Sequence, residues 1–197
     1  MKIIFFKIIY IIRKKIQHII HWYLVSEITL IHNNRITIGD NVYFTDFPSF
    51  HFDQSGSNIK LGNNVSLRGR INFSFCENGS IEIGEYTFLN AGCSINSLEH
   101  IKIGANCLFG ENVKLYDHNH AYSNENNIPI KDQGYTTAPI EIGNNCWIGS
   151  DVTVLKGVVI GDNCVIGAGS LVIKSIPSGS IMYADISNQI IKKSKIV

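Results

Sequence analysis

The fold is decided by two copies of one ten-residue pattern, Ile140-Glu-Ile-Gly-Asn-Asn-Cys-Trp-Ile-Gly149 and Val158-Val-Ile-Gly-Asp-Asn-Cys-Val-Ile-Gly167, which begin eighteen residues apart. Around them an aliphatic residue recurs at every sixth position, from Ile142 to Val172. A period of six fits neither an α-helix nor an alternating strand, but three hexads close one turn of a solenoid with three flat faces. The pattern therefore predicts a parallel β-helix whose aliphatic side chains stack from coil to coil.

Weaker copies of the pattern extend it toward the N-terminus. Their glycines are 23, 22 and 20 residues apart, at Gly39, Gly62, Gly84 and Gly104. Such spacing predicts coils with small insertions at their corners. Glycine supplies the positive φ or the close backbone approach that a corner needs, and the following Asn tolerates left-handed geometry. We predict one all-β domain over residues 29–176, with roughly six or seven coils, and a C-terminal extension over residues 177–197.

Composition indicates a soluble protein that forms a core. The chain has 197 residues, of which 45% are hydrophobic, and this content excludes general disorder. The formal net charge of +1 gives no electrostatic reason to expect nucleic acid as a partner.

The five cysteines contain no CxxC pair, and their number is odd. Cys107, Cys146 and Cys164 follow Asn in a slot of the repeat that Val42 and Val65 also occupy. We therefore predict small buried side chains and a reducing compartment. Because no secretory cleavage signal is apparent, we expect the cytoplasm.

Residues 1–28 differ from the remainder of the chain and predict an amphipathic helix. Their first apolar run is about half the roughly twenty residues needed to cross a bilayer. Two interpretations stay open: an interfacial helix on the inner face of the membrane, or a helix that packs on the solenoid or a neighbouring subunit and covers the end coil. Both can hold together.

One long interruption stands out in the repeat. A loop over about residues 116–138 separates the coil of Gly104 from that of Gly143, and it begins with Asp117, His118, Asn119 and His120. A loop of roughly twenty residues thrown out of a compact solenoid usually has a function.

Several motifs in order resemble a known family. They are the Asp117-His-Asn-His120 cluster, Ala138-Pro139, Trp147-Ile-Gly-Ser150 and Gly167-Ala-Gly-Ser170. Together they are similar to the hexapeptide-repeat O-acetyltransferases, in the maltose and galactoside branch that includes O-antigen and capsule acetyltransferases. The resemblance implies a left-handed parallel β-helix, acetyl-CoA as donor without a required metal, a homotrimer, and active sites between adjacent subunits. It also implies transfer to a carbohydrate hydroxyl, on a surface polysaccharide or its precursor.

Acetyl transfer from a thioester to a hydroxyl needs a base for the hydroxyl proton, and imidazole titrates near neutral pH. A histidine suffices, without a covalent intermediate, if a backbone carbonyl, Asp117 or Glu99 holds its other ring nitrogen. The oxyanion needs an N–H donor. An ungapped count from Leu115 favours His120 as the base, whereas the Asp-His order favours His118. Both remain candidates, and His120 is preferred.

The resemblance also assigns the binding residues. Those expected to bind the acceptor are Asn90, Trp147 and Asp117. Those expected to bind acetyl-CoA are Trp147, Ser150, Ala168 and Lys174. Small side chains at Ser150 and Ala168 let the pantetheine arm lie against the coil, and Lys174 can meet a phosphate.

Two other functions are compatible with a β-helix. A zinc enzyme similar to the γ-class carbonic anhydrases would use His100, His118 and His120 as ligands. A non-catalytic scaffold would show regular outward ladders of Thr or charged residues and no long loop with clustered histidines.

Overall fold

The computed structural model describes residues 12, 23, 25–28, 35–53, 56–122, 128–184 and 189–193, with residues 184 and 189–193 described by their backbone alone. Within these ranges, three sheets form the walls of a solenoid. We number the strands in chain order and name the sheets A, B and C.

Sheet A contains β1 (Ile36–Ile38), β4 (Asn58–Leu61), β7 (Ser80–Ile83), β10 (His100–Ile103), β15 (Ile140–Ile142) and β18 (Val159–Ile160). Sheet B contains β2 (Tyr43–Phe44), β5 (Ser66–Leu67), β8 (Phe88–Leu89), β11 (Leu108–Phe109), β16 (Trp147–Ile148), β19 (Val165–Ile166), β21 (Ser180–Ala184) and β22 (Gln189–Lys193). Sheet C contains β3 (Ser49–Phe52), β6 (Asn72–Phe75), β9 (Ser94–Ser97), β12 (Lys114–Tyr116), β17 (Thr153–Leu155) and β20 (Leu171–Val172). Each coil passes through A, then B, then C, and the described ranges contain six complete coils.

The interior is filled by the aliphatic side chains that the six-residue period marks. Those of the two strongest repeats expose 2% of their surface or less: Ile142, Ile148, Val154, Ile160, Ile166 and Val172. Parallel pairing in register places Ile101 beside Ile140 and Phe109 beside Ile148. Complete burial of such a side chain contributes roughly 1.5–3 kcal/mol, so the columns of stacked side chains on the three sheets are a large source of the stability of the fold. The predicted coil-to-coil stacking is confirmed.

The corner glycines are required by close approach rather than by backbone conformation. A Cβ added to Gly104 would lie 2.6 Å from the carbonyl carbon and oxygen of Gly143 in the next coil. The positive φ at this corner falls instead on the asparagines two residues further, with 58° at Asn106 and 55° at Asn145. Asparagine tolerates this region better than other residues with a side chain.

Four of the five cysteines are buried, and all five are free thiols. Cys107, Cys146 and Cys164 stack in one interior column, as predicted. Each thiol donates a hydrogen bond to a carbonyl of the following coil, at 3.1 Å to Gly143, 3.1 Å to Gly161 and 3.2 Å to Pro177 respectively. The column therefore links coils as well as filling space.

The two ends of the solenoid are covered differently. Residues 25–28 are helical, and Ile28 is 1% exposed and belongs to the hydrophobic core, so this part of the segment packs on the solenoid. Most of the predicted helix over residues 1–28, and with it the membrane contact, lies outside the described residues. No helix in the described ranges is long and apolar enough to span a membrane. At the other end, β21 pairs parallel with β19, and β22 folds back antiparallel on β21.

Candidate active site

The predicted loop leaves the solenoid between sheet C of the fourth coil and sheet A of the fifth, and it contains an antiparallel hairpin. Its strands are β13 (His118–His120) and β14 (Tyr135–Thr137), with a short 3-10 helix at Ile130–Asp132 between them. His118 pairs with Thr137, and His120 pairs with Tyr135. Because alternate residues of a strand point to the same side, both imidazoles and Tyr135 share one face of the hairpin.

Asp117 stands at the base of this hairpin and is fully buried. Its Oδ2 accepts hydrogen bonds from the Ser97 hydroxyl at 2.8 Å and from the Glu99 N–H at 2.9 Å. Its Oδ1 accepts one from the Leu98 N–H at 2.8 Å. All three donors belong to the turn that ends β9, one coil below.

A fourth donor reaches Asp117 from His118, whose Nδ1 lies 3.1 Å from Oδ1. Burial alone would raise the pKa of Asp117, but the hydrogen bonds from His118, the backbone and Ser97 outweigh it and hold that pKa below its ordinary value. An ionised carboxylate only accepts hydrogen bonds, so Nδ1 of His118 carries the proton and Nε2 is left as an acceptor. This is the arrangement that a general base requires.

Two tyrosines flank the His118 ring. Tyr116 and Tyr135 both meet it edge to face, with centroids 6.1 Å and 5.6 Å away. The His118 side chain is 18% exposed, so the ring is held in place and still open to solvent.

His120 has a different environment. Its side chain is exposed, and its ring lies 4.6 Å from that of Tyr135 at a tilt of 37°. Within the described residues, no carboxylate holds either of its ring nitrogens.

The other predicted site residues lie mainly at a second corner, between sheets B and C. We call residues 90–92, 110–112, 149–151 and 167–169 the B–C corner. It brings together Asn90, Ser150 and Ala168 from three different coils. Trp147 lies on adjoining sheet B, between Leu108 and Val165, and is 54% exposed.

Lys174 is exposed just after β20, in the last complete coil. Asp117, which is also expected to bind the acceptor, is fully buried next to His118. In one chain, His118 and the B–C corner are separated by the width of sheet C.

The three histidines proposed as zinc ligands do not converge. The Nδ1 of His100 lies 2.8 Å from the Ser80 hydroxyl, at the start of a strand of sheet A. Across the described ranges, no group of three His, Cys, Asp or Glu side chains is arranged to hold a metal ion.

Comparison with known proteins gives the family. The model described as bacterial transferase hexapeptide (six repeats) matches residues 139–174. The putative lipopolysaccharide biosynthesis O-acetyl transferase WbbJ of Escherichia coli K12 is 30% identical over 146 residues, which are 71% of this chain and 74% of that protein. The chain belongs to the hexapeptide-repeat O-acetyltransferase family.

Other relatives agree with this membership. The probable acetyltransferase Rv3034c of Mycobacterium tuberculosis is 31% identical over 69% of this chain, and the match spans only 46% of that protein. A solved galactoside acetyltransferase in complex with coenzyme A is 30% identical, with a TM-score of 0.52 over 86% of this chain and 70% of that one. The predicted left-handed parallel β-helix of the hexapeptide-repeat family is thus confirmed.

Two features of this family member were not predicted from its sequence. Tyr135 faces both histidines, but only the hairpin pairing brings it there. Glu111 hydrogen bonds to both Asn90 and Ser150. Its position was open to prediction, because Gly110-Glu111 and Gly149-Ser150 are equivalent steps of the repeat and must stack.

Proposed function

We propose that this protein is an acetyl-CoA-dependent O-acetyltransferase that acts on a carbohydrate hydroxyl. The pairing of buried Asp117 with His118, on a hairpin built out of the solenoid, is the observation that carries the proposal. A non-catalytic scaffold has no need of a buried carboxylate that orients a partly exposed imidazole. The name of the Escherichia coli relative supports a lipopolysaccharide or related surface glycan as acceptor.

His118 is the general base in this proposal. Its Nε2 takes the proton of the sugar hydroxyl as the hydroxyl oxygen attacks the thioester carbonyl. Asp117 holds the Nδ1–H and stabilises the imidazolium that forms. When the tetrahedral intermediate collapses, the carbon–sulfur bond breaks and the departing thiolate of CoA receives the proton. The acetyl ester and CoA are the products, and no covalent enzyme intermediate is needed.

The donor slot lies at the B–C corner. Small residues there, Ser150 and Ala168, leave room for the pantetheine arm, and exposed Trp147 walls one side. Asn90, at the same corner, is assigned to the acceptor. Lys174 is assigned to a phosphate of CoA.

His118 and this slot occupy different corners of one chain. A second copy that brings its own B–C corner to the hairpin would complete the site. We therefore propose active sites between adjacent subunits of a homotrimer. A heterologous contact can close into such a ring, and the number three comes from the family resemblance.

Kinetics of two alanine variants test the base. We expect His118→Ala to lower kcat about 10²–10⁴-fold, the usual contribution of general base catalysis, while CoA binding measured by calorimetry stays unchanged. His120→Ala, a matched change two residues away on the same hairpin face, should retain most turnover. Full activity of His118→Ala, with loss in His120→Ala, would move the base to His120.

The acceptor class needs its own experiment. Acetyl-CoA consumption should be measured with nucleotide sugars, oligosaccharides and simple glycosides, and with amines in place of hydroxyl compounds. We expect turnover with at least one carbohydrate. Turnover with amines alone would refute O-acetyl transfer and leave the base assignment standing.

A further inference from the structure

Glu111 lies at the B–C corner between the residues assigned to acceptor and donor. Its Oε1 accepts a hydrogen bond from Nδ2 of Asn90 at 2.5 Å, and its Oε2 accepts one from Oγ of Ser150 at 2.6 Å. Asn90 belongs to the third coil, Glu111 to the fourth and Ser150 to the fifth. One carboxylate therefore connects three successive coils at the edge of the proposed slot.

The backbone at Gly110 makes this contact possible. A Cβ added there would lie 2.5 Å from the backbone nitrogen of Ser150 and 2.6 Å from its Oγ. Without that Cβ, the two coils approach closely, and the Ser150 Oγ also accepts a hydrogen bond from the Glu111 N–H at 3.3 Å. The serine side chain is thus held from two directions by the residue below it.

The hydrogen bonds to Glu111 also determine which donors and acceptors of Ser150 and Asn90 remain available to a ligand. The Ser150 hydroxyl donates its only proton to Glu111, so it can bind a ligand only as a hydrogen-bond acceptor. The Asn90 Oδ1 accepts from the Ala91 N–H at 2.9 Å, which sets the amide orientation and leaves one N–H of Nδ2 for a ligand. Ser150 would then face a donor such as the amide N–H of pantetheine, and Asn90 an acceptor such as a sugar oxygen.

The Glu111 carboxyl group is stabilised in its ionised form. The hydrogen bond from Ser150, followed by its own backbone N–H, lowers the pKa of its carboxyl group, and the nearby charge of Arg68 contributes in the same direction. An ionised carboxylate accepts on both oxygens at once. A glutamine of the same shape has one acceptor oxygen and cannot serve both partners.

We propose that Glu111 is a positioning residue of the transfer site, which presents the Asn90 amide to the acceptor and the Ser150 hydroxyl to acetyl-CoA. This inference rests on the proposed function and adds a residue to it. Glu111 acts through its two neighbours and takes no part in proton transfer.

Glu111→Ala and Glu111→Gln test the proposal in the full chain, with Glu85→Ala as control. Glu85 is exposed at the corner between sheets A and B, so its removal makes the same charge change away from the slot. We expect both Glu111 variants to raise KM for acetyl-CoA and for the acceptor by about tenfold or slightly more, the lower end of the range for a hydrogen bond to a charged group. Since His118 and Asp117 are untouched, kcat and its pH profile should match those of Glu85→Ala.

A double-variant cycle separates positioning from a general loss of structure. If Glu111 acts on the donor through Ser150, Ser150→Ala with Glu111→Ala should bind CoA no more weakly than Ser150→Ala alone. The proposal would be overturned if the double variant lost CoA affinity by the product of the two single-variant losses. It would also be overturned if Glu111→Ala bound CoA as tightly as Glu85→Ala does. Calorimetry measures these CoA affinities without requiring turnover. If the wild-type protein binds CoA but acetylates no carbohydrate, the proposed acceptor class is wrong. The effect of Glu111 on CoA binding can still be tested in that case.

Discussion

Asp117 is fully buried and yet held ionised, because Ser97, two backbone N–H groups and His118 all donate hydrogen bonds to it. The Asp-His order in the sequence was enough to suggest that the two side chains pair. The three donors from the coil below could not be foreseen. They depend on the register between β9 and β12, and insertions at the corners make that register impossible to count from the sequence alone.

The lowered pKa of Asp117 predicts how stability depends on pH. The folded-state pKa lies below the ordinary value of 3.8, so the stabilisation is complete above that pH and is lost as the pH falls through the folded-state pKa. We expect Asp117→Asn to reduce the free energy of unfolding by about 1–3 kcal/mol at neutral pH, because a buried hydrogen-bond network is broken. Urea denaturation at a series of pH values measures this difference, which should shrink in acid. A difference that stays constant with pH would contradict the ionised state.

The five thiols should differ in their reactivity. Burial, and then a hydrogen bond with Asp53, raises the pKa of Cys76 to about 11, and Cys76 alone among the five cysteines is partly exposed. The thiolate is the reactive form, so alkylation of the native protein at neutral pH should be slow and confined to Cys76. Mass spectrometry after iodoacetamide treatment reads the sites. Rapid labelling of Cys107, Cys146 or Cys164 would show that the interior thiol column opens readily.

The sequence predicts where the corners of the coils lie, but not why glycine is required there. The glycines mark every corner between sheets A and B, yet the sequence leaves open whether positive φ or close approach requires them. The structure assigns close approach to the glycines. It assigns positive φ to the residue two positions further, which is an asparagine at five of these six corners and Tyr86 at the other. The hairpin of the loop was hidden for another reason: its strands have three residues each, too few for a periodic signal.

Gly104→Ala tests the close approach. The new methyl group would meet the backbone of Gly143 at 2.6 Å, and backbone cannot move aside within a stacked column. We expect the free energy of unfolding to fall by about 1–3 kcal/mol, as in other overpacked cores. Lys102→Ala, an outward-facing change on the same coil, should stay within about 0.5 kcal/mol of the wild type. Equal stabilities for the two variants, by thermal or urea denaturation, would refute the steric account.

For the whole molecule, the coil architecture follows from the period of eighteen, and the corner insertions and the long loop reduce the expected number to roughly six or seven coils. The described ranges contain six complete coils. Handedness does not follow, because the general preference for right-handed crossovers argues the other way. It came with the family resemblance and was then confirmed by comparison. The proposed pairing of His118 with a donor slot from another chain cannot be derived from the sequence or from the geometry of one chain, since it depends on assembly.

The activity of mixed trimers shows whether base and donor slot come from adjacent chains. His118→Ala removes the base, and Ala168→Trp fills the donor slot, so each variant alone should be inactive. If base and slot belong to adjacent chains, co-refolding the two variants in equal amounts should restore about one quarter of wild-type acetyl-CoA turnover, because each contact needs one chain of each kind in the right order. Mixed trimers with no turnover, confirmed as mixed by native mass spectrometry, would contradict a site shared between chains.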